Sequence, residues 1–413
     1  MKSLQRFWHR NSPQLFLGEL LEKRWMEPII PFTLTIAVFL VFASTIPNYL
    51  KASSLQELMR NFAEQGMVAV AMAFSILSGG LDLSVGAVFA MANFLAIYLY
   101  LILGLPLPVM VVLVILFGAA MGAINGGLIA YGKTRPFLTT LVVLIIVRAA
   151  YNKVTIAFTN ELASIDLGSG VWDFMGSGKI LGIPVNMAAL IVLAVSTHFF
   201  LTRVKPGVHI MAVGSSRKAA RHAGVNVKRV LFSAYVISGS IAALAGIFYA
   251  ARQNSSGTDT GVGWEINALA AVVLGGISLA GGRGTIARAV MGAAIIFMLI
   301  SGMVRLGISG NLTTAVIGII LLVAVGFNVK WVKNKGKVLQ KVYVTPSWVD
   351  FEPPPSVERG SGTPFAENDR LKNAEAIALN KIEGPEDIIL DRNDNLYTVN
   401  RNGSIIRFLA PDY

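Results

Sequence analysis

From residue 28 to residue 328 the chain is a succession of apolar windows, most of them near twenty residues long and divided by short connections. A window of that length crosses the roughly 30 Å hydrocarbon core of a bilayer as a helix. In lipid a chain must satisfy its backbone internally, so helices or closed barrels are the only spanning structures. The pattern predicts an all-α polytopic membrane protein with a short β-like C-terminal tail. Candidate spans fall at 28–46, 62–78, 84–103, 107–131, 137–156, 184–201, 230–251, 265–280, 289–304 and 312–328. That makes about ten, with eight as the alternative, because 62–78 and 265–280 are short and bordered by glycine. Short spans of this kind suit broken or re-entrant helices facing protein or a water-filled path.

Charge placement excludes several functions. The net charge is +12, yet the cations cluster at span boundaries, so they indicate topology rather than nucleic-acid binding. Lys133, Arg135, Arg283, Arg288 and the 330–341 lysine run fall on one predicted side; Glu161, Asp166 and Asp173 fall in the longest loop of the other. Both termini are expected in the cytoplasm. Residues 1–27 read as an amphipathic lead-in without a cleavage-site pattern, so 28–46 is expected to be a retained first span. The chain has no cysteine, which excludes disulfides and thiolate metal sites.

The most basic connection is 202–229, with Arg203, Lys205, Arg217, Lys218, Arg221, Lys228 and Arg229 and no carboxylate. Within it, Ser215 and Ser216 can cap a short helix that Gly224 ends in a left-handed conformation. Ala219 and Ala220 leave a flat face where another backbone could approach. RKAARHAGVNVKR, preceded by AVGSS, resembles the cytoplasmic coupling loop of ribose/monosaccharide-type ABC-importer permeases. The resemblance implies that Arg217, Lys218, Ala219, Ala220, Arg221 and Gly224 dock into an ATPase subunit. A basic loop that only fixes topology is the alternative.

Two further motifs carry the same resemblance, which covers about 25–330. SILSGGLDLSVGAVFAM (75–91) is similar to the family's GGxDLSVG turn between two membrane helices. Gly79 and Gly80 can break the first helix and Asp82 can cap the second. A charge at membrane depth costs roughly 2.5–3.5 kcal/mol at a helix centre, so Asp82 is either this cap or part of a transport path. WEINALAAVVLGGISLAGGRGTIARAVMGA (264–293) also resembles the family. In it Gly275, Gly276 and Leu279 echo Gly79, Gly80 and Leu83, as in internally repeated transporters. Glu265 is expected at the outer end of its span, on the helix dipole or meeting an incoming binding protein or sugar. Ser84, Asn125, Arg148 and Asn267 complete the pathway candidates. Arg148, about 17 Å along its helix from Phe137, either snorkels outward or faces the bundle interior. Small neighbours Ala123, Gly126 and Gly127 would let a helix pack beside Asn125.

Gly127, Gly132, Lys133 and Thr134 satisfy the G-x-x-x-x-G-K-[ST] phosphate-loop pattern. That pattern needs a strand before it and a helix after it, and here an apolar span precedes, so nucleotide binding is excluded. No cofactor is expected in this chain; ATP and Mg belong to partner ATPases. The domain reading is 1–27 lead-in, 28–330 permease domain, 331–376 basic exit and Pro/Gly/Ser-rich linker, and 377–413 an incomplete propeller-like tail. KIEGPEDIILDRNDNLYTVNRNGSIIRF (381–408) resembles the opening blade of gluconolactonase/strictosidine-synthase-like β-propellers, with Glu383 as a metal-ligand candidate that lacks companions. The implied protein is a non-enzymatic, multi-pass inner-membrane permease subunit for a monosaccharide or similar solute. Its partners would be a second permease, ABC ATPases and a periplasmic binding protein. An ion-coupled secondary transporter, or a membrane-anchored lactonase cut after its first blade, are the alternatives.

Overall fold

The structure is a computed structural model describing residues 26–163, 170–310, 312–313, 315–320, 322, 355–369, 372–374, 382, 387–400 and 403–411. It divides into two units, Met1–Pro346 and Ser347–Tyr413. The first is helical: α1 (Met26–Thr45), α2 (Ala52–Leu77), α3 (Val85–Ile97, extended by a π-helical turn over Tyr98–Ile102), α4 (Leu107–Ala130) and α5 (Pro136–Ala157). Then come α6 (Thr159–Ala163), α7 (Val171–Ser177), a small hairpin of β1 (Lys179–Ile180) and β2 (Ile183–Pro184), and α8 (Val185–Arg203). The basic connection holds α9 (Lys205–Ser215) and α10 (Arg217–His222). It leads to α11 (Val227–Gln253), α12 (Trp264–Leu274) and α13 (Ile286–Arg305).

Among the described residues, six helices are long and apolar enough to cross a membrane: α3 with its π-turn, α4, α5, α8, α11 and α13. Shorter apolar helices lie at Ile29–Thr45 and Trp264–Leu274. Each expected span from 28–46 through 289–304 thus corresponds to a helix, while 312–328 lies partly outside the described residues, as do the lead-in and the basic exit. The 62–78 span is not short. Residues 52–61 (ASSLQELMRN) are polar but include strong helix formers, so the helix continues where hydropathy stops. The 265–280 span is shorter than expected, because α12 has eleven residues, about 16 Å of helix.

Burial does not follow apolarity among these helices. From Phe62 to Leu77, α2 is buried at every residue except Gln65, which makes it the centre of the bundle. By contrast, α4 exposes Val109, Val112, Leu113 and Leu116 and buries a narrow face against α11. There a Cβ added at Gly122 would strike the Tyr235 carbonyl, and one at Gly126 would come within 2.9 Å of Phe232 Cα. Gly127, one residue round the helix, meets nothing. The close-packed face therefore runs through Gly118, Gly122 and Gly126, not through Gly126 and Gly127.

In the second unit β3 (Ile388–Leu390), β4 (Leu396–Val399) and β5 (Ile405–Phe408) form an antiparallel meander in the order β3-β4-β5. The first turn is held by Asp391, whose Oδ1 accepts the N–H groups of Asn393 (2.8 Å) and Asn395 (2.9 Å). Glu383 lies outside the described residues.

Candidate functional site

The loop between α2 and α3 is fastened from four directions. Asp82 is 1% exposed. Its Oδ1 accepts the Ser84 backbone N–H (3.0 Å) and hydroxyl (2.6 Å), and its Oδ2 accepts the Ser238 hydroxyl from α11 (3.1 Å). Asn125 on α4 donates to Ser84 Oγ (2.8 Å), while Thr140 on α5 accepts the Leu83 N–H (3.1 Å) and donates to the Leu81 carbonyl (3.2 Å). Tyr235 donates to the same carbonyl. Asp82, Ser84 and Asn125 thus form one polar lock among α3, α4 and α11, sealed from solvent in this chain. The hydrogen bonds offset the cost of placing a carboxylate there.

The second feature is re-entrant. After α11 ends with a left-handed cap at Asn254, residues 254–263 run as turns rather than helix, back down the side of α3. Asn93 donates to the Ser255 carbonyl (3.3 Å). The Tyr151 hydroxyl pairs with Ser256 Oγ (2.9 Å) and donates to the Gly257 carbonyl (2.6 Å). Arg148 donates to the carbonyls of Thr260 (2.7 Å) and Gly261 (3.0 Å). Trp264 then stacks on Phe89, centroids 4.3 Å apart, and the Glu265 carboxylate lies against Gly86. From Asn93 to Gly86 is seven residues, about 10 Å of descent. Glu265 therefore does not open α12 at the outer surface as expected; the irregular segment carries it to the level of the α3 N-terminus. Arg148 faces inward, and its guanidinium satisfies backbone that would otherwise be bare inside the membrane. Asn267 lines a narrow cleft between α2, α12 and α13 with Gln65, Val68, Trp264 and Ala293.

The third feature is the basic connection. Ser216 caps α10 by accepting the Ala219 N–H (3.2 Å). Gly224 takes φ +80°, and Val225 N–H closes onto the Ala220 carbonyl (3.0 Å). Both ends match the sequence expectation. The alanine face does not: Ala219 is exposed, but Ala220 is 5% exposed and packs into this chain's own core. Adjacent positions on a helix point about 100° apart, so Ala220 turns into the core while Ala219 stays outside. Ala220 is therefore turned inward rather than forming an outward face with Ala219. Lys218, Arg221 and Gly224 are exposed. Arg217 is also exposed, yet its Nη2 is tied to the Gly79 carbonyl at 2.9 Å.

Several participants escaped sequence reasoning. Glu64, fully buried on α2, pairs with Arg252 Nε (3.0 Å) and accepts from Asn186 (2.9 Å), joining α2, α8 and α11. A lone carboxylate within an apolar span was the available signal. Arg288 is not a surface topology cation; it is buried and donates to the Gly275 carbonyl (3.0 Å) and to that of Gly276, capping α12. The echo between the glycine motifs is real in structure but displaced by one residue. In α2, Gly79 N–H bonds to Ile76 O and Gly80 N–H to Ser75 O; in α12, Gly276 bonds to Val273 O and Ile277 to Val272 O. Gly79 (φ +83°) thus corresponds to Gly276 (φ +79°), and both helices end in the same Schellman turn. The phosphate-loop lookalike starts in the helical end of α4, so no nucleotide cradle forms there.

Residues 54–325 match the family described as branched-chain amino acid transport system / permease component, and 363–408 match the strictosidine synthase-like N-terminal family. The chain is similar to the ribose import permease protein RbsC of Escherichia coli K12, 32% identical over 71% of this chain and 91% of the relative. It is likewise similar to RbsC of Bacillus subtilis 168, at 34% over 73% and 92%, and to the fructose import permease protein FruF of Bifidobacterium longum, at 31% over 75% and 88%. No solved structure matches it with statistical support. With the apolar helices of its first unit, these matches make the chain a multi-pass membrane protein that belongs to the transport-system permease family shared with the ribose and fructose import permeases.

Proposed function

We propose that this chain is the membrane subunit of an ABC importer carrying a monosaccharide or similar small polar solute across the bacterial inner membrane. Separate ATPase subunits dock at the basic connection, a second permease completes the pathway, and a periplasmic binding protein delivers the solute. This reading places both termini and α9–α10 in the cytoplasm. The observation that carries it is the capped, exposed, cationic α10, which is bonded to the end of the central helix α2 rather than hanging free. The relatives' names supply the solute class. Glu64 is engaged with Arg252, Asp82 with hydroxyls and Arg148 with carbonyls, while Glu265 keeps a buried carboxylate oxygen without a hydrogen-bond partner.

The test is uptake of labelled ribose and fructose into proteoliposomes holding the chain with its binding protein, with and without the cognate ATPase. Uptake is expected only with ATPase and ATP. Ala219→Glu is expected to keep the chain folded while weakening ATPase co-purification and abolishing uptake. Uptake driven by an ion gradient without ATPase would overturn the assignment.

A further inference from the structure

Three stretches far apart in sequence meet at the α10 end of the bundle. Gly282 N–H donates to the Leu77 carbonyl, the last residue of α2, at 3.0 Å. Ser215 Oγ donates to the Gly282 carbonyl (3.2 Å), and Arg217 Nη2 to the Gly79 carbonyl (2.9 Å). The contact is backbone on backbone: a Cβ at Gly281 would stand 2.7 Å from Gly79 Cα, and one at Gly214 would hit the Leu77 carbonyl. Gly281 and Gly282 hold φ of +90° and +67°. On the far side, Arg288 grips the carbonyls that end α12. The first residue of α10 is thereby fastened to the Schellman turn of α2. Through Gly282 the same junction reaches the loop that leaves α12, and these two helices flank the cleft lined by Gln65, Trp264 and Asn267.

We infer that Arg217 is a positioning residue. It spends its guanidinium on the Gly79 carbonyl, so that displacement of α10 is delivered to α2 and α12 and thus to the Gln65–Asn267 cleft. The inference rests on α10 being the docking helix. Arginine suits the role because the C-terminal end of a helix carries partial negative charge and unpaired carbonyls, and its planar fork keeps a fixed geometry. Lys218 beside it is exposed, with its charge on the surface.

The experiment uses the assembled importer with its ATPase and binding protein. It compares wild type, Arg217→Ala, Arg217→Lys and Lys218→Ala, reading ATPase co-purification, ATP hydrolysis and solute imported per ATP. Because the chain lacks cysteine, a single Gln65→Cys in each background reports, by aqueous thiol labelling, whether the cleft changes on ATP binding. Arg217→Ala is expected to lose at least tenfold in solute per ATP and to abolish the ATP-dependent change in labelling in the complex that forms. Arg217→Lys is expected to recover part of both, and Lys218→Ala to weaken co-purification at an unchanged ratio. Wild-type coupling and labelling in Arg217→Ala would overturn the inference. So would loss of the ATPase in Arg217→Ala with normal coupling in whatever complex remains, since Arg217 would then be a docking cation. If wild type itself retains no ATPase, the docking assignment fails, and this inference with it.

Discussion

Replacing Arg148 with alanine tests the re-entrant segment directly. Its two hydrogen bonds, 2.7 Å to Thr260 O and 3.0 Å to Gly261 O, hold irregular backbone between α3 and α5. Thr260 and Gly261 are buried, so removing the guanidinium strips the Thr260 carbonyl of its donor and leaves Gly261 O with the Trp264 N–H at 3.3 Å. A buried group left unsatisfied costs about 1–3 kcal/mol. Tyr151 still holds Ser256 and Gly257, so the penalty falls on local opening of 258–265 rather than on the whole bundle. At 1.4 kcal/mol per factor of ten, amide exchange there is expected to accelerate by about 5-fold to 150-fold. Arg148→Lys, with a compact ammonium in place of the fork, is expected to fall between. The assay is hydrogen–deuterium exchange by mass spectrometry in lipid nanodiscs, with peptides from α4 and α8 as internal references. Unchanged exchange across 255–267 in Arg148→Ala would refute the reasoning, as would uniform acceleration in every helix.

Glu64→Gln leaves Arg252 without its carboxylate, and breaking a buried ion pair costs about 3–5 kcal/mol. A lower thermal midpoint is expected, partly restored by adding Arg252→Gln, and a thermal scan of the purified protein in detergent would show it. Deleting 347–413 is expected to leave uptake unchanged, because that stretch forms its own unit; a strong loss in the proteoliposome assay would give the tail a role in transport. Single cysteines at Ser215 and Ser361 are expected to resist a membrane-impermeant thiol reagent in intact cells, and labelling of both would reverse the proposed topology.

By itself the sequence determined what depends on local composition and short-range geometry. Apolar windows set the helices, since a lipid-spanning segment has few other ways to satisfy its backbone. Ser216 and Gly224 set the ends of α10, because capping acts across three or four residues. Hydropathy misplaced the start of α2, where polar helix formers extend a helix without adding apolar surface. Only the tertiary structure decided which helix is central, because hydropathy does not rank burial: α4 is the more apolar of the two yet presents an exposed face, while α2 is enclosed by protein. The same holds for the depth of Glu265, the inward turn of Ala220 and the partners of Arg148, Arg217 and Arg288. Each depends on a contact between segments a dozen to more than a hundred residues apart, or on which side of a helix meets the core. Local pattern carries no record of either, since one exposed and one buried alanine stand side by side at 219 and 220.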